Sequence, residues 1–201
     1  MDKKNTHAAA DALDWNESQE LVRRLNDDGR FREAMLVSTG CNLGLRVSDM
    51  LPLRWCDLLS GNILVIREKK TDKKRTLLIN AFLQKEARLC HDELEISDDN
   101  DYIFTSYRYD GSRHITRIRV HQLLKEIQAE YAVGSARNFS AHSLRKTFGR
   151  RVWEQECARG RGDQALVLLS EVFGHSSVAI TKRYLGIRQE EILSVYTSLT
   201  D

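Results

Sequence analysis

The sequence has few of the residues that break helices or cross-link a chain. Its 201 residues include a single proline, Pro52, so long helices are permitted. The four cysteines, Cys41, Cys56, Cys90 and Cys157, are scattered and form no CxxC pair, so we expect no disulfides and a reducing, cytoplasmic location. No apolar run reaches membrane-spanning length, and the N-terminus lacks the apolar stretch of a signal peptide.

The chain also lacks a strong net charge. Its 31 Lys and Arg against 29 Asp and Glu give +2, which by itself does not indicate a nucleic-acid partner. The distribution is more informative, because residues 108–151 carry ten Arg or Lys against three acids, whereas residues 86–101 are acidic. A basic region on a near-neutral chain fits a phosphate-facing surface with an acidic far side, and it fits an ordinary solvated face as well.

Hydrophobic patterning predicts a mainly α fold with a small antiparallel β-sheet (α+β). Asn16 or Ser18 is placed to cap a first helix that runs to about Asp27, and a second helix covers 31–43 with Gly44 as its left-handed C-cap. Residues 63–68 and 75–80 are short runs rich in apolar and β-branched residues, so with the polar segment between them they predict a β-hairpin with a lysine-rich turn. Further helices are predicted from near residue 46 and at about 81–92, 116–131, 142–157, 163–173, 177–184 and 188–198.

Two basic motifs are suited to holding a phosphate. His142 and Arg145 are three residues apart, so on a helix they share a face, and Ser140 is placed to cap that helix. Helix N-termini favour anions through their free N–H groups and the helix dipole. Arg46 opens a helix in the stretch GLRVSD, where Asp49 is positioned to fix its guanidinium as a bidentate fork. Taken singly, both motifs are better explained as ordinary surface or structural pairs.

Two further residues are suited to acid–base or nucleophilic chemistry. Tyr184 lies nine residues after His175 of Gly174-His175, and the segment between them contains good helix-start residues, so Tyr184 lies at the end of a short helix. Lys70 lies in the turn of the predicted hairpin, where a lysine can reach into a cleft as a proton donor. Taken singly, Tyr184 is one of six tyrosines with a structural role as the default, and Lys70 is a solvated charge.

In sequence order these features are Arg46, a hairpin lysine, His-x-x-Arg, Gly-His and a tyrosine. As a set they resemble the tyrosine recombinase (phage integrase) family, from about residue 16 to residue 198. The stretches that carry the resemblance are GLRVSDMLPLRW, KKTDKK, HSLRKTF and FGHSSVAITKRYLG. Type IB topoisomerases share the chemistry, but GLRVSD and FGHSS are similar to recombinases.

The resemblance implies a role for each matching residue. Tyr184 would attack the scissile phosphorus of double-stranded DNA and form a 3′-phosphotyrosyl link. The other roles would be binding of the non-bridging oxygens by Arg46 and Arg145, protonation of the departing 5′-oxygen by Lys70, proton transfer by His142, a hydrogen bond to the phosphate from His175, and support of the site by Asp49. No metal and no ATP are implied, because the cationic residues supply positive charge and the phosphotyrosine conserves the bond energy.

Alternatives remain for two of these positions. Lys69, Lys73 and Lys74 crowd the same turn as Lys70, which is preferred because it precedes a threonine, as in the family's Lys-Thr turn. Tyr196 is a second tyrosine near the C-terminus, but it lies 21 residues after His175, too far for the family spacing.

The resemblance also bears on organisation. Most family members carry an N-terminal DNA-clamping domain, which is absent from this sequence. Residues 1–14 are therefore expected to be a flexible tail or linker remnant ahead of a catalytic domain at 15–201, in either a single-domain member or a fragment. An apolar stripe at 187–199 predicts a terminal helix. The resemblance implies that this helix docks on a neighbouring subunit of a DNA-bound homotetramer, and packing on its own domain is the alternative.

A site-specific recombinase or integrase, as found on mobile elements, is therefore the favoured function. The main alternative is a catalytically silent DNA-binding accessory or regulatory protein of the same fold, against which the full set of catalytic residue types argues. A topoisomerase that relaxes supercoils without a preferred site and a helical protein-interaction domain are less favoured.

Overall fold

The structure is a computed structural model that describes residues 10–106, 108, 111–134 and 138–187. The chain divides into two compact units, Met1–Thr147 and Phe148–Asp201. Among the described residues, no helix is long and apolar enough to cross a membrane.

Helix α2 is the centre of the first unit. The elements of this unit are α1 (Trp15–Asp27), α2 (Phe31–Leu43), α3 (Val47–Met50), α4 (Trp55–Leu59), β1 (Ile63–Arg67), β2 (Lys74–Leu78), α5 (Ala81–Glu93), α6 (Arg117–Glu130) and the beginning of α7 (Ala141–Cys157). Every residue of α2 from Ala34 to Leu43 is buried, because apolar faces of other helices surround it. Leu25 of α1, Leu83 of α5 and Leu124 of α6 contribute fully buried side chains to this core.

Strands β1 and β2 form a two-stranded antiparallel sheet. Ile63 pairs with Leu78 at one end and Arg67 with Lys74 at the other, so the connecting turn spans residues 68–73. Leu64 is buried in the core of the first unit, whereas Ile63 and Leu78 face solvent. The sheet thus has one covered face, and its turn projects the lysine-rich segment.

The second unit is built from the remainder of α7, α8 (Gly162–Phe173) and α9 (Val178–Leu185). Leu166, Leu169, Phe173 and Leu185 form its small core. Close packing of α7 in this unit depends on Gly149, where an added Cβ would lie 2.7 Å from both the Phe173 ring and the Leu185 side chain.

The structure confirms the predicted fold class and most of the predicted elements. The second helix occupies 31–43, and Gly44 ends it with φ 57°, in the left-handed region that glycine adopts readily. The predicted cap of α1 is wrong, because the carboxylate of Asp14 accepts from the backbone N–H groups of Asn16 and Glu17. Helix α4 was not predicted, and the predicted helix at 188–198 lies outside the described residues.

Candidate active site

Arg46 lies on the turn between α2 and α3. Gly44 ends α2, and Arg46 has an extended backbone as the N-cap of α3, so its side chain leaves the turn at the surface of the first unit. The side chain is 22% exposed, and its Nη1 lies 3.2 Å from a carboxylate oxygen of Glu68. The guanidinium is therefore held in place while part of it remains accessible.

Arg145 is anchored to the same turn. Helix α7 approaches α2 closely at Gly40, where an added Cβ would lie 2.7 Å from Leu144 Cδ1. This approach lets the neighbouring Arg145, only 5% exposed, donate from Nη1 to the carbonyl oxygen of Gly44 at 2.6 Å. Because Gly44 precedes Arg46 by two residues, the structure brings the two predicted phosphate-binding arginines to one turn.

His142 lies in the first turn of α7. Ser140 occupies the N-cap position: its carbonyl accepts from the N–H of Ser143 at 2.8 Å, and the Ser143 hydroxyl accepts from the N–H of Ser140 at 3.0 Å. The His142 side chain is accessible at the surface, yet nearby protein atoms partly desolvate it. This desolvation, with the positive charges of Arg145 and Lys146, lowers the pKa of His142 below its ordinary value, so the imidazole is neutral at pH 7.

The lysine-rich turn is held against the start of α3. Asp49, only 6% exposed, accepts from the backbone N–H of Lys69 at 2.9 Å. The other Asp49 oxygen lies 3.9 Å from Arg46 Nη1, so the predicted pair between these residues exists as a long ion pair. Lys70 is exposed and follows the anchored Lys69 directly.

Glu68 is the site residue that sequence reasoning missed. It is 8% exposed, and its carboxylate accepts from Arg46 and Arg75, each at 3.2 Å, and from the Thr71 hydroxyl at 2.7 Å. Burial alone would raise the pKa of this carboxyl, but the hydrogen bonds from Thr71, Arg75 and Arg46 hold the pKa below its ordinary value. The only sequence signal was one acid at the edge of a basic turn, which is typical of a solvated charge.

The second unit holds His175 and Tyr184 side by side. Gly174 ends α8 in the left-handed conformation, and His175 follows it. The His175 and Tyr184 ring centroids are 5.3 Å apart with planes at 72°, and Phe173 packs edge-on against Tyr184 at 5.4 Å. His175 Nδ1 lies 2.9 Å from the hydroxyl oxygen of the fully buried Thr181. When Nδ1 accepts from that hydroxyl, the proton of neutral His175 lies on Nε2, where it can be donated to a phosphate oxygen.

The predicted site residues thus form two groups. The first unit brings together Arg46, Asp49, Arg145 and the turn of Lys70, with His142 on the same helix as Arg145. The second unit brings together His175 and Tyr184. Among the described residues, no cluster of His, Cys, Asp and Glu is arranged to hold a metal ion.

Comparison with known sequences identifies the family of the chain. The phage integrase family matches residues 11–191. The chain is 32% identical over 165 residues to the probable integrase/recombinase YoeC of Bacillus subtilis, covering 82% of this chain and 83% of that protein. It is 24% identical over 185 residues to tyrosine recombinase XerC of Caldanaerobacter subterraneus, covering 90% of this chain but only 48% of that protein.

Solved structures show the same fold. The XerA recombinase covers all of this chain with a TM-score of 0.67 at 23% identity, and the chain covers 67% of it. The XerH recombinase in a post-cleavage complex with its difH substrate covers 93% of this chain with a TM-score of 0.65 at 20% identity, and the chain covers 53% of it. The family match extends over nearly the whole sequence, and the chain therefore belongs to the phage integrase family of tyrosine recombinases.

Proposed function

We propose that this recombinase cleaves and rejoins double-stranded DNA at specific sites through a 3′-phosphotyrosyl link on Tyr184. The observation that carries the proposal is the hydrogen bond from Arg145 to the Gly44 carbonyl, which fixes a buried guanidinium on the turn of Arg46. Two fixed guanidiniums offer planar donor forks to the non-bridging oxygens of one phosphate. Membership in the phage integrase family indicates that a phosphate bound by these two arginines is the scissile phosphate of a DNA strand.

The cleavage step uses the residues as follows. The Tyr184 hydroxyl oxygen bonds to the scissile phosphorus, and its proton passes to His142, which is neutral at pH 7 because its pKa is lowered. The bond from phosphorus to the 5′-oxygen breaks, and Lys70 gives that oxygen a proton. The products are a 3′-phosphotyrosine and a free 5′-hydroxyl.

The negative charge that develops around phosphorus during cleavage explains why two arginines would be needed at the site. A pentacoordinate phosphorane concentrates negative charge on its non-bridging oxygens, and guanidiniums already in place stabilise it without reorganising. Loss of one such donor typically slows a reaction by about 10²–10³-fold. A hydrogen bond from His175 Nε2 would add a further donor to the same oxygens.

Rejoining reverses these steps with a 5′-hydroxyl from another strand. That hydroxyl attacks the phosphotyrosine, and Tyr184 leaves as a phenol after taking back its proton. One phosphodiester is replaced by another through an intermediate of similar energy, so the proposed cycle requires no ATP. The positive charge comes from two arginines and a lysine, so the proposed cycle uses no metal.

Several features support DNA as the partner. The basic segment 108–151 fits a phosphate-facing surface. Structures with the same fold include the XerH complex with its difH substrate and a lambda integrase dimer bound to a core site. We further propose that residues 15–201 act as the catalytic domain, that the chain assembles as a homotetramer on DNA, and that it works in the cytoplasm, where its scattered cysteines would stay reduced.

Covalent capture tests the proposal. A library of nicked duplexes with randomised cores is incubated with the chain, and adducts that survive denaturation are recovered and sequenced. We expect one DNA motif to be enriched and the adduct to be lost in Tyr184→Phe but retained in Tyr196→Phe. An adduct that persists in Tyr184→Phe would contradict the assignment, and EDTA should leave the yield unchanged.

A further inference from the structure

Glu68 joins the lysine-rich turn to the phosphate-binding arginine. It is the first residue after β1, and Lys70 is the second residue beyond it. One carboxylate oxygen accepts from both Arg46 and Thr71, and the other accepts from Arg75 of β2. A single buried carboxylate thus connects the turn, the neighbouring strand and the arginine that opens α3.

The charge balance makes this connection strong. Two guanidiniums, with side chains 22% and 17% exposed, share one carboxylate that is 10% exposed. The pKa of Glu68 is lowered in spite of its burial, so the carboxylate remains ionised at neutral pH. Hydrogen bonds to charged groups are stronger than neutral ones, and removing one partner leaves the others buried and uncompensated.

The turn itself is fixed on both sides of Lys70. The N–H of Lys69 is held by Asp49, and the hydroxyl of Thr71 is held by Glu68. Within the turn, the backbone N–H of Glu68 donates to the Lys73 carbonyl oxygen at 2.9 Å, and the backbone carbonyl oxygen of Glu68 accepts from the Asp72 N–H at 2.8 Å. The backbone of Lys70 is therefore placed relative to Arg46 by neighbours rather than by its own side chain.

We propose that Glu68 is a positioning residue that docks the turn on Arg46, so that Lys70 and Arg46 act on the same phosphate. The inference rests on the proposed role of Lys70 as the proton donor to the 5′-oxygen. It predicts that loss of the Glu68 carboxylate impairs protonation of the leaving group more than binding of the phosphate. The opposite relation, in which Glu68 competes with the phosphate for Arg46, predicts faster cleavage once the carboxylate is removed.

A substrate with sulfur in place of the scissile 5′-oxygen distinguishes these effects. A thiolate is a far weaker base than an alkoxide, since thiols ionise at a pKa of about 8.5, so it departs without a proton donor. Single-turnover cleavage is measured on matched oxygen and sulfur substrates. We expect Glu68→Gln to slow cleavage of the oxygen substrate on the order of 10- to 100-fold, as displacement of a catalytic group does. On the sulfur substrate the cleavage rate of this variant should return most of the way to that of the parent protein.

Two control variants make the comparison specific. Asp72→Asn neutralises another acid of the same turn, whose ion pair with Arg67 lies at the surface, and should cleave both substrates at the parent rate. Lys70→Ala should be slow on oxygen and restored on sulfur. If Lys70→Ala is not restored, the proposed role of Lys70 fails and the inference fails with it.

The remaining outcomes address Glu68 alone. With Lys70→Ala restored, equal losses of Glu68→Gln on both substrates, or faster cleavage, would overturn the positioning role. Thr71→Val removes one hydrogen bond from an exposed residue and leaves both ion pairs in place, so it tests the same point if Glu68→Gln does not fold. It should show a smaller loss with the same preference for sulfur, and parent rates on both substrates would contradict the inference.

Discussion

Replacement of Arg145 by lysine separates its structural role from its chemical role. Arg145 is 5% exposed and donates to the Gly44 carbonyl at 2.6 Å. Lysine keeps the charge but concentrates its donors on one nitrogen, so it cannot bind the carbonyl and present a planar fork to a phosphate. A hydrogen bond from a charged group contributes about 1.5–3 kcal/mol, which sets the expected loss in free energy of unfolding.

Arg145→Lys should lower the cleavage rate by more than a decrease in the fraction of folded protein can explain. If Arg145 contacts the developing phosphorane, Arg145→Lys should slow adduct formation by about 10²–10³-fold at saturating protein. The free energy of unfolding is measured by urea denaturation, and the rate is measured on nicked duplexes under conditions in which the variant is fully folded. A rate equal to that of the parent protein would refute the proposal that Arg145 binds the scissile phosphate.

Arg24 offers a control of the same chemical kind. Its Nη1 donates to the backbone carbonyl oxygen of Tyr131, the C-cap of α6, at 3.1 Å. Arg24→Lys changes an arginine–carbonyl bond without touching the candidate site. It should lower the free energy of unfolding modestly and leave the cleavage rate of the folded protein unchanged.

Three further predictions concern acid–base chemistry and packing. Partial desolvation and two neighbouring cations lower the pKa of His142, so its neutral form persists as pH falls. The acid limb of the cleavage rate should therefore lie below 6.5, and His142→Gln should remove it. An acid limb above 6.5 would contradict this role. Thr181→Val removes the 2.9 Å hydrogen bond to His175 and should slow cleavage by up to about tenfold with little change in fold, as measured by single-turnover kinetics and circular dichroism. Gly149→Ala places a Cβ 2.7 Å from the Phe173 ring and should lower the free energy of unfolding by about 1–3 kcal/mol in urea denaturation; an unchanged midpoint would show that the contact relaxes freely.

The sequence predicted those elements whose signals are local. The apolar run of α2 and the glycine after it specify both the helix and its end, and two runs rich in apolar and β-branched residues around a polar turn specify the hairpin. Helix α4 was missed because five residues are too few to show a helical period. The cap of α1 was misplaced because Asn16 and Ser18 are also good capping residues, and sequence alone does not choose among them.

The residues of the candidate site likewise divide into those that local motifs indicated and one that they did not. The family resemblance carried by short motifs, taken together in order, indicated Arg46, Lys70, His142, Arg145, His175 and Tyr184. Glu68 was not recognised because its partner Arg46 lies 22 residues away in the sequence, and because burial of the carboxylate depends on how the hairpin docks. Local patterns do not encode such contacts, which arise only when separate elements pack.

Identification of the residue that becomes attached to DNA tests the assignment of Tyr184 as the nucleophile. Trypsin cleavage after Arg183 and Arg188 places Tyr184 on the peptide 184–188 and Tyr196 on the peptide 189–201, so mass spectrometry of a purified adduct separates the two. We expect a nucleotide phosphate on Tyr184, attached through its phenolic oxygen. Attachment to Tyr196 or to any other residue would contradict that assignment.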